Sequence, residues 1–259
     1  MQSCSIVPSE EDKENYYTER FQNKKKGNVA IITIGGPGSG KTTIKKDTIL
    51  KLGLHSDDFV DIDPDIIFSS FFKNKEECFQ KIEPINDILF EKAYRQHFNI
   101  IVEGTGKDFN WKYEHVIKVL KAHGYTIYLC IVHNDIDIVL ERIRLRALET
   151  GRNIPTENVK HIYEKLDPHI IDYLNIPCEH VDGIFLYDNT NTLRLELVTQ
   201  CISGEKYIAY INSFFLFCCL LFFLFFLLFF LFILFPSIYH LRHTIFQSKT
   251  FQSLLSYIK

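Results

Sequence analysis

No excess of positive charge runs through this sequence: 29 Lys and Arg stand against 32 Asp and Glu, a formal net charge of −3. A surface built to lie along a polyanion is basic. A broad nucleic-acid-binding face is therefore excluded as the organising feature, while a local basic cleft is not. Paired cysteines are missing too. Cys4, Cys78, Cys130, Cys178, Cys201, Cys218 and Cys219 are scattered, with no Cys-x-x-Cys pair and no Cys/His ligand spacing. That argues against a disulfide framework and against a zinc site. Residues 1–26 are polar and lack the apolar run of a signal peptide. These absences together predict a reducing, cytosol-facing compartment.

One stretch is dense with chemistry. Val29-Ala30-Ile31-Ile32-Thr33-Ile34 reads as a buried strand and runs into Gly35-Gly36-Pro37-Gly38-Ser39-Gly40-Lys41-Thr42, followed by a helical pattern from Thr43. Every fixed position of G-x-x-x-x-G-K-[ST] is met in the strand–loop–helix setting that gives the pattern meaning. The glycines let successive backbone N–H groups turn inward toward phosphate oxygens, and the new helix adds its positive dipole end. Lys41 is placed to reach the β- and γ-phosphates, and the Thr42 hydroxyl to ligate Mg²⁺. Gly35 to Thr43 are thus the candidate nucleotide-binding residues, and a nucleoside triphosphate is the expected ligand.

At 259 residues the chain accommodates one α/β domain with an appendage. Strand-like runs at Phe59–Ile62, Asn99–Glu103, Tyr125–Val132 and Ile184–Tyr187 alternate with helical patterns. The expected fold is a P-loop-type parallel sheet with helices on both faces. The boundaries read as a polar, solvated extension over 1–26, a kinase-like domain over 27–200, a linker over 201–213, an apolar segment over 214–235 and a tail over 236–259. Phe214 to Phe235 holds only Phe, Leu, Cys and Ile, long enough to cross a bilayer core as a helix. It reads as a tail anchor holding a cytosolic domain on a membrane. A misread frame across a pyrimidine-rich tract gives the same Phe/Leu bias and stands as the alternative.

In parallel sheets of this kind the chemistry lies at the carboxyl ends of the strands. Asp63 and Asp65 follow the second strand, and Glu103 and Thr105 the third, so both pairs are expected to face the P-loop across one crevice. Phosphoryl transfer to an alcohol needs a carboxylate to deprotonate the acceptor and cations for the migrating charge. Asp65 is the candidate base. Asp63 is its neighbour, with a plain helix cap as the competing reading. Glu103 and Thr105 are candidates for the acceptor's contacts. The cations are expected from Glu141-Arg142-Ile143-Arg144-Leu145-Arg146, where Arg142 and Arg146 share a helix face, and from Arg152 on the connection after Gly151.

The set Gly-Gly-Pro-Gly-Ser-Gly-Lys-Thr-Thr, Ile62-Asp63-Pro64-Asp65, Ile101-Val102-Glu103-Gly104-Thr105-Gly106-Lys107 and Gly151-Arg152-Asn153-Ile154-Pro155 resembles the zeta-toxin family of P-loop kinases over about residues 28–190. Bacterial members phosphorylate the 3′-hydroxyl of UDP-N-acetylglucosamine with ATP (or GTP) and Mg²⁺. The resemblance implies phosphate and Mg²⁺ binding by Lys41 and Thr42, and a base at Asp65. It further implies acceptor binding by Glu103 and Thr105, and neutralisation of the transferring group by Arg146 and Arg152. Three features depart from the family pattern: Ile66-Ile67-Phe68-Ser69 follows the base where Phe and then Arg are usual, Lys107 stands where arginine is common, and the segment between the two lid arginines is short, which leaves Arg142 open beside Arg146. The readings left open are a P-loop kinase acting on another acceptor, such as a metabolite or a polynucleotide end, and a nucleotide-dependent, membrane-tethered adaptor without catalysis.

Overall fold

The computed structural model describes residues 4–72, 75–150, 154–190, 194–202 and 205–210. The helix α1 (Glu10–Phe21) leads into β1 (Val29–Ile34), α2 (Lys41–Lys51), β2 (Phe59–Ile62) and α3 (Pro64–Phe72). A 3₁₀ turn (Glu76–Ile82), α4 (Glu83–Arg95) and β3 (Asn99–Val102) follow. Then come α5 (Phe109–Lys112), a π-helical turn (Tyr113–Ile117), α6 (Lys118–Ala122), β4 (Thr126–His133), α7 (Ile136–Thr150) and α8 (Thr156–Leu174). The chain closes on β5 (Gly183–Asp188), β6 (Arg194–Ile202) and β7 (Glu205–Tyr210).

The strands form one sheet in the order β2-β3-β1-β4-β5-β6-β7. The first five are parallel, and β6 and β7 pair antiparallel beyond β5. Alternation along the strands feeds two cores. Ile32, Ile34, Val60, Ile62, Ile100 and Val102 pack on one face with α1, α3, α4 and α8, while Ile31, Phe59 and Ile101 pack on the other against Ile44 and Ile49 of α2. A sheet buried on both faces needs this continuous apolar run rather than strict polar alternation. Pro84 stands in the first turn of α4, where its missing N–H is no loss, and the 3₁₀ turn Glu76–Ile82 precedes it.

Three expectations are corrected, and a fourth falls outside the described residues. Residues 1–26 are not simply solvated, because Tyr16 and Tyr17 of α1 are buried in the larger core. The span assigned to a linker contains β7, which pairs with β6 from Leu197↔Tyr210 to Ile202↔Glu205. Two of the scattered cysteines are bonded: Cys4 to Cys78, 74 residues apart. Cys178 is disulfide-bonded as well. Spacing gives no hint of such bonds, since it is the packing of α1 that brings Cys4 beside the 3₁₀ turn. The apolar segment 214–235, expected to be a membrane anchor, lies outside the described residues. Among the described residues no helix is long and apolar enough to cross a membrane.

Candidate active site

The carboxyl ends of β2, β3 and β1 are neighbours in the sheet, so the Asp63/Asp65 turn, the Glu103–Thr105 loop and the P-loop share one edge, as the strand-end positions predict. The chain leaves β1 at Ile34 and enters α2 at Lys41 through Gly40, whose φ is +97°, a conformation that favours glycine. The loop is gripped from two sides. A Cβ on Gly36 would stand 2.2 Å from the ring of Tyr163 on α8, and the Tyr163 hydroxyl donates to the Pro37 carbonyl at 3.2 Å. On the other side the Ser39 carbonyl accepts from Asn134 Nδ2 (3.1 Å) and from Asn189 Nδ2 (2.8 Å).

Both asparagines are held by one arginine. Arg142 donates from Nη1 to Asn134 Oδ1 at 2.8 Å and from Nη2 to the Asn189 carbonyl at 2.7 Å. Arg142 therefore buttresses the P-loop. Arg144 forms an exposed pair with Glu141 at 2.8 Å. Arg146 is exposed, and its positive charge acts on Lys41. Arg146 thus lies close enough for its charge to reach the P-loop lysine. Arg152 lies outside the described residues.

Lys41 folds its ammonium against the loop, donating to the carbonyls of Gly35 (2.9 Å) and Gly36 (3.0 Å). Burial pulls its pKa below the usual lysine value, against the opposing fields of Glu103, Asp65 and Asp63. Every carboxylate singled out from the sequence, apart from any role, thus acts electrostatically on this one lysine. Thr42 and Thr43 are exposed in the first turn of α2.

Asp63 caps the start of α3: its Oδ1 accepts from the Asp65 N–H at 2.8 Å, and its carbonyl from Ile66 and Ile67. The capping and the strand-end reading therefore hold together at one residue. Burial, followed by the charge of Glu103, pushes the Asp63 carboxyl up to about 6. Asp65 is half-buried in the first turn of α3. Glu103 is only 8% exposed, not a solvent-facing strand end. Its Oε1 accepts from Lys45 Nζ at 2.5 Å, and the same ammonium reaches Asp61 Oδ2 at 2.7 Å. Burial opposes the charge on Lys45, but Asp61 and Glu103 more than offset it and raise its pKa. Lys45 was not among the sequence candidates. Its signal is the i, i+4 step from Lys41 on α2, which puts both lysines on one helix face. Thr105 is half-buried, and its Oγ1 faces the Lys107 N–H at 3.4 Å.

Among the described residues no group of three or more His, Cys, Asp or Glu side chains is arranged to hold a metal. A hydroxyl at the P-loop helix start with carboxylates across the crevice still fits Mg²⁺, which keeps most of its waters and binds through phosphate oxygens and one or two protein ligands.

Comparison with known proteins places this geometry. The zeta toxin family model matches residues 13–195. An L-seryl-tRNA(Sec) kinase of Methanococcus maripaludis is 31% identical over 142 residues, covering 54% of this chain and 52% of that protein, so the match spans about half of the relative's length. A structure from the PezAT chromosomal toxin–antitoxin system of Streptococcus pneumoniae aligns with a TM-score of 0.55 at 17% identity, over 73% of this chain and 81% of that one. The AvrRxo1-ORF1:ORF2 complex with ATP aligns with a TM-score of 0.56 at 14% identity, over 78% and 69%. The structural likenesses establish a shared α/β fold. The family model covers the P-loop, both carboxylate turns and the arginine helix, and the chain belongs to the zeta toxin family.

Proposed function

We propose that this chain transfers the γ-phosphoryl group of ATP to a hydroxyl of a small-molecule acceptor. The observation that carries the reading is the convergence of Glu103, Asp65, Asp63 and Arg146 on the P-loop lysine, Lys41. A switch that only senses nucleotide has no need of three carboxylates at that spot. Backbone N–H groups of Gly35–Lys41 cradle the phosphates, and Lys41 exchanges its loop carbonyls for phosphate oxygens. Thr42 would hold Mg²⁺, with Asp63 reaching it through water; the ion supplies charge neutralisation on the phosphates when bound. Asp65 takes the proton from the acceptor hydroxyl as its oxygen forms the bond to the γ-phosphorus and the bond to the ADP leaving oxygen breaks. Glu103, fixed by Lys45, and Thr105 hold the acceptor. Arg146 and Arg152 neutralise the transferring group.

Two acceptors have specific support. Membership of the zeta toxin family favours a nucleotide sugar such as UDP-N-acetylglucosamine. The 31% identity to an L-seryl-tRNA(Sec) kinase favours, as a second reading, the side-chain hydroxyl of a seryl group carried on tRNA rather than a small molecule, although a net charge of −3 gives tRNA no broad basic face. The test incubates the protein with ATP-Mg²⁺ and either acceptor and reads products by mass spectrometry. Lys41→Ala is expected to lose tight nucleotide binding and turnover together. Asp65→Ala is expected to retain nucleotide and lose transfer by about two to four powers of ten. Full transfer by Asp65→Ala would remove it as the base, and ATP binding without transfer to either acceptor would point to another hydroxyl.

A further inference from the structure

Lys112, the last residue of α5, sits in an unusual environment. The residue is 7% exposed. Its ammonium makes no hydrogen bond or ion pair among the described residues, and its neighbours in the helix, Trp111 and Tyr113, carry the contacts of that turn instead. Its Nζ lies 2.9 Å from where a Cβ on Gly104 would stand, so the glycine between Glu103 and Thr105 leaves space that the ammonium fills. Trp111, 44% exposed, holds its ring 5.7 Å from the same Nζ. Immediately after Lys112 the helix widens into the π turn Tyr113–Ile117, the kind of one-turn insertion that recurs at functional sites because it re-aims the residues beside it.

A buried ammonium without a counter-charge is unfavourable. If Lys112 served only to pack its aliphatic stem, its head would emerge into water, or a Met or Leu would fill the space with no penalty. The balance changes if a ligand anion completes the pair. We propose that Lys112, with Trp111 beside it, forms an anion subsite for the acceptor, pairing with a phosphate-type group on the molecule whose hydroxyl is phosphorylated. This deepens the kinase reading above and rests on it. Burial lowers the Lys112 pKa to about 8, which leaves the group mostly protonated at neutral pH and poised to gain from an anion. The indole, 44% exposed, leaves part of its ring surface open to an apolar part of the same ligand.

The experiment uses the full chain with the P-loop saturated by the non-hydrolysable analogue AMP-PNP. Lysines are acetylated with acetic anhydride, and Lys112 modification is followed by peptide mass spectrometry against rising inorganic phosphate, UDP-N-acetylglucosamine, or phosphate-free N-acetylglucosamine. Saturable protection by a phosphate-bearing probe, and none by the free sugar, is expected. Calorimetric titration of the protecting probe should then weaken by about 10- to 100-fold in Lys112→Met, the scale of a lost charge-assisted hydrogen bond. Lys112→Arg should recover part of the loss, and AMP-PNP affinity should be unchanged in both. Labelling indifferent to both phosphate probes overturns the subsite, as does unchanged probe affinity in Lys112→Met. Protection is read on the unsubstituted protein without turnover, so this failure is separate from that of the kinase reading, which AMP-PNP binding and the Asp65 variant report.

Discussion

Asp63 is pulled toward opposite protonation states. The Asp65 N–H on its Oδ1 favours the carboxylate, while burial and the charges of Glu103, Asp65 and Asp61 favour the neutral acid and prevail, to a pKa of about 6. An unfolded aspartate titrates near 3.9. Because the folded value is the higher one, the folded state holds the proton more tightly. The stabilisation is complete below about pH 4 and is lost as pH rises through about 6. Asp63→Asn keeps an oxygen for the Asp65 N–H and removes the charge. It should stabilise the nucleotide-free protein by about 1–3 kcal/mol at pH 7.5, with the gain vanishing near pH 4. Urea denaturation at the two pH values measures this, and equal stabilisation at both would contradict it. At this scale the sequence was legible where local pattern carried the meaning. Lys41, Asp65 and Glu103 stand at strand ends in a known spacing. Lys45, Lys112, Asn134 and Asn189 matter through partners 16 to 150 residues away or through burial, which no local pattern encodes.

Helices α7 and α8 act on the P-loop as a pair. Tyr163 presses on Gly36 and bonds Pro37, and Arg142 locks the two asparagines that hold the Ser39 carbonyl. A preorganised loop binds phosphate better because less order must be imposed on binding. Arg142→Ala leaves Asn134 Oδ1 and the Asn189 carbonyl without their donor, and each lost bond of this kind is worth about 1–3 kcal/mol. The expected result is AMP-PNP binding weakened by about tenfold or more, whereas Arg144→Ala, which breaks only an exposed pair, should bind as before. Equal behaviour of the two variants in a nucleotide titration would show that the brace does not reach the loop. The sequence indicated that this helix supplies cations but not which arginine faces where, because Arg142 and Arg146 share one face by periodicity. Other elements resisted reading for different reasons. The π turn after Lys112 leaves no mark in the apolar spacing. β6 and β7 come shortly before an apolar run in the sequence that dominates the composition of the C-terminal region. The π turn and the antiparallel pair aside, the parallel βα alternation was plain, because fully buried strands write continuous apolar runs.

For the Met1–Tyr210 unit as a whole, the Cys4–Cys78 bond closes a loop over 74 residues that contains β1, the P-loop, α2, β2 and α3. Tyr16 and Tyr17 seat α1 in the same core that lines the strand ends, so the bond ties a chain segment already committed to the fold. In the chain-entropy account a closed loop of this span restricts the unfolded ensemble by about 4.5 kcal/mol, and such bonds typically deliver about 2–4 kcal/mol. The folded contacts of α1 remain when the bond is absent, because they are apolar and local to Tyr16, Tyr17, Phe71 and Phe98. Cys4→Ala should therefore lower unfolding stability by about 2–4 kcal/mol under oxidising conditions while leaving AMP-PNP affinity unchanged. Reductant should bring the unsubstituted protein down at least as far as the variant, since it opens the same loop and the Cys178 bond as well. A variant as stable as the oxidised parent would mean that the α1 packing alone restricts the unfolded chain, and a loss of nucleotide binding would mean that the bond shapes the P-loop edge directly.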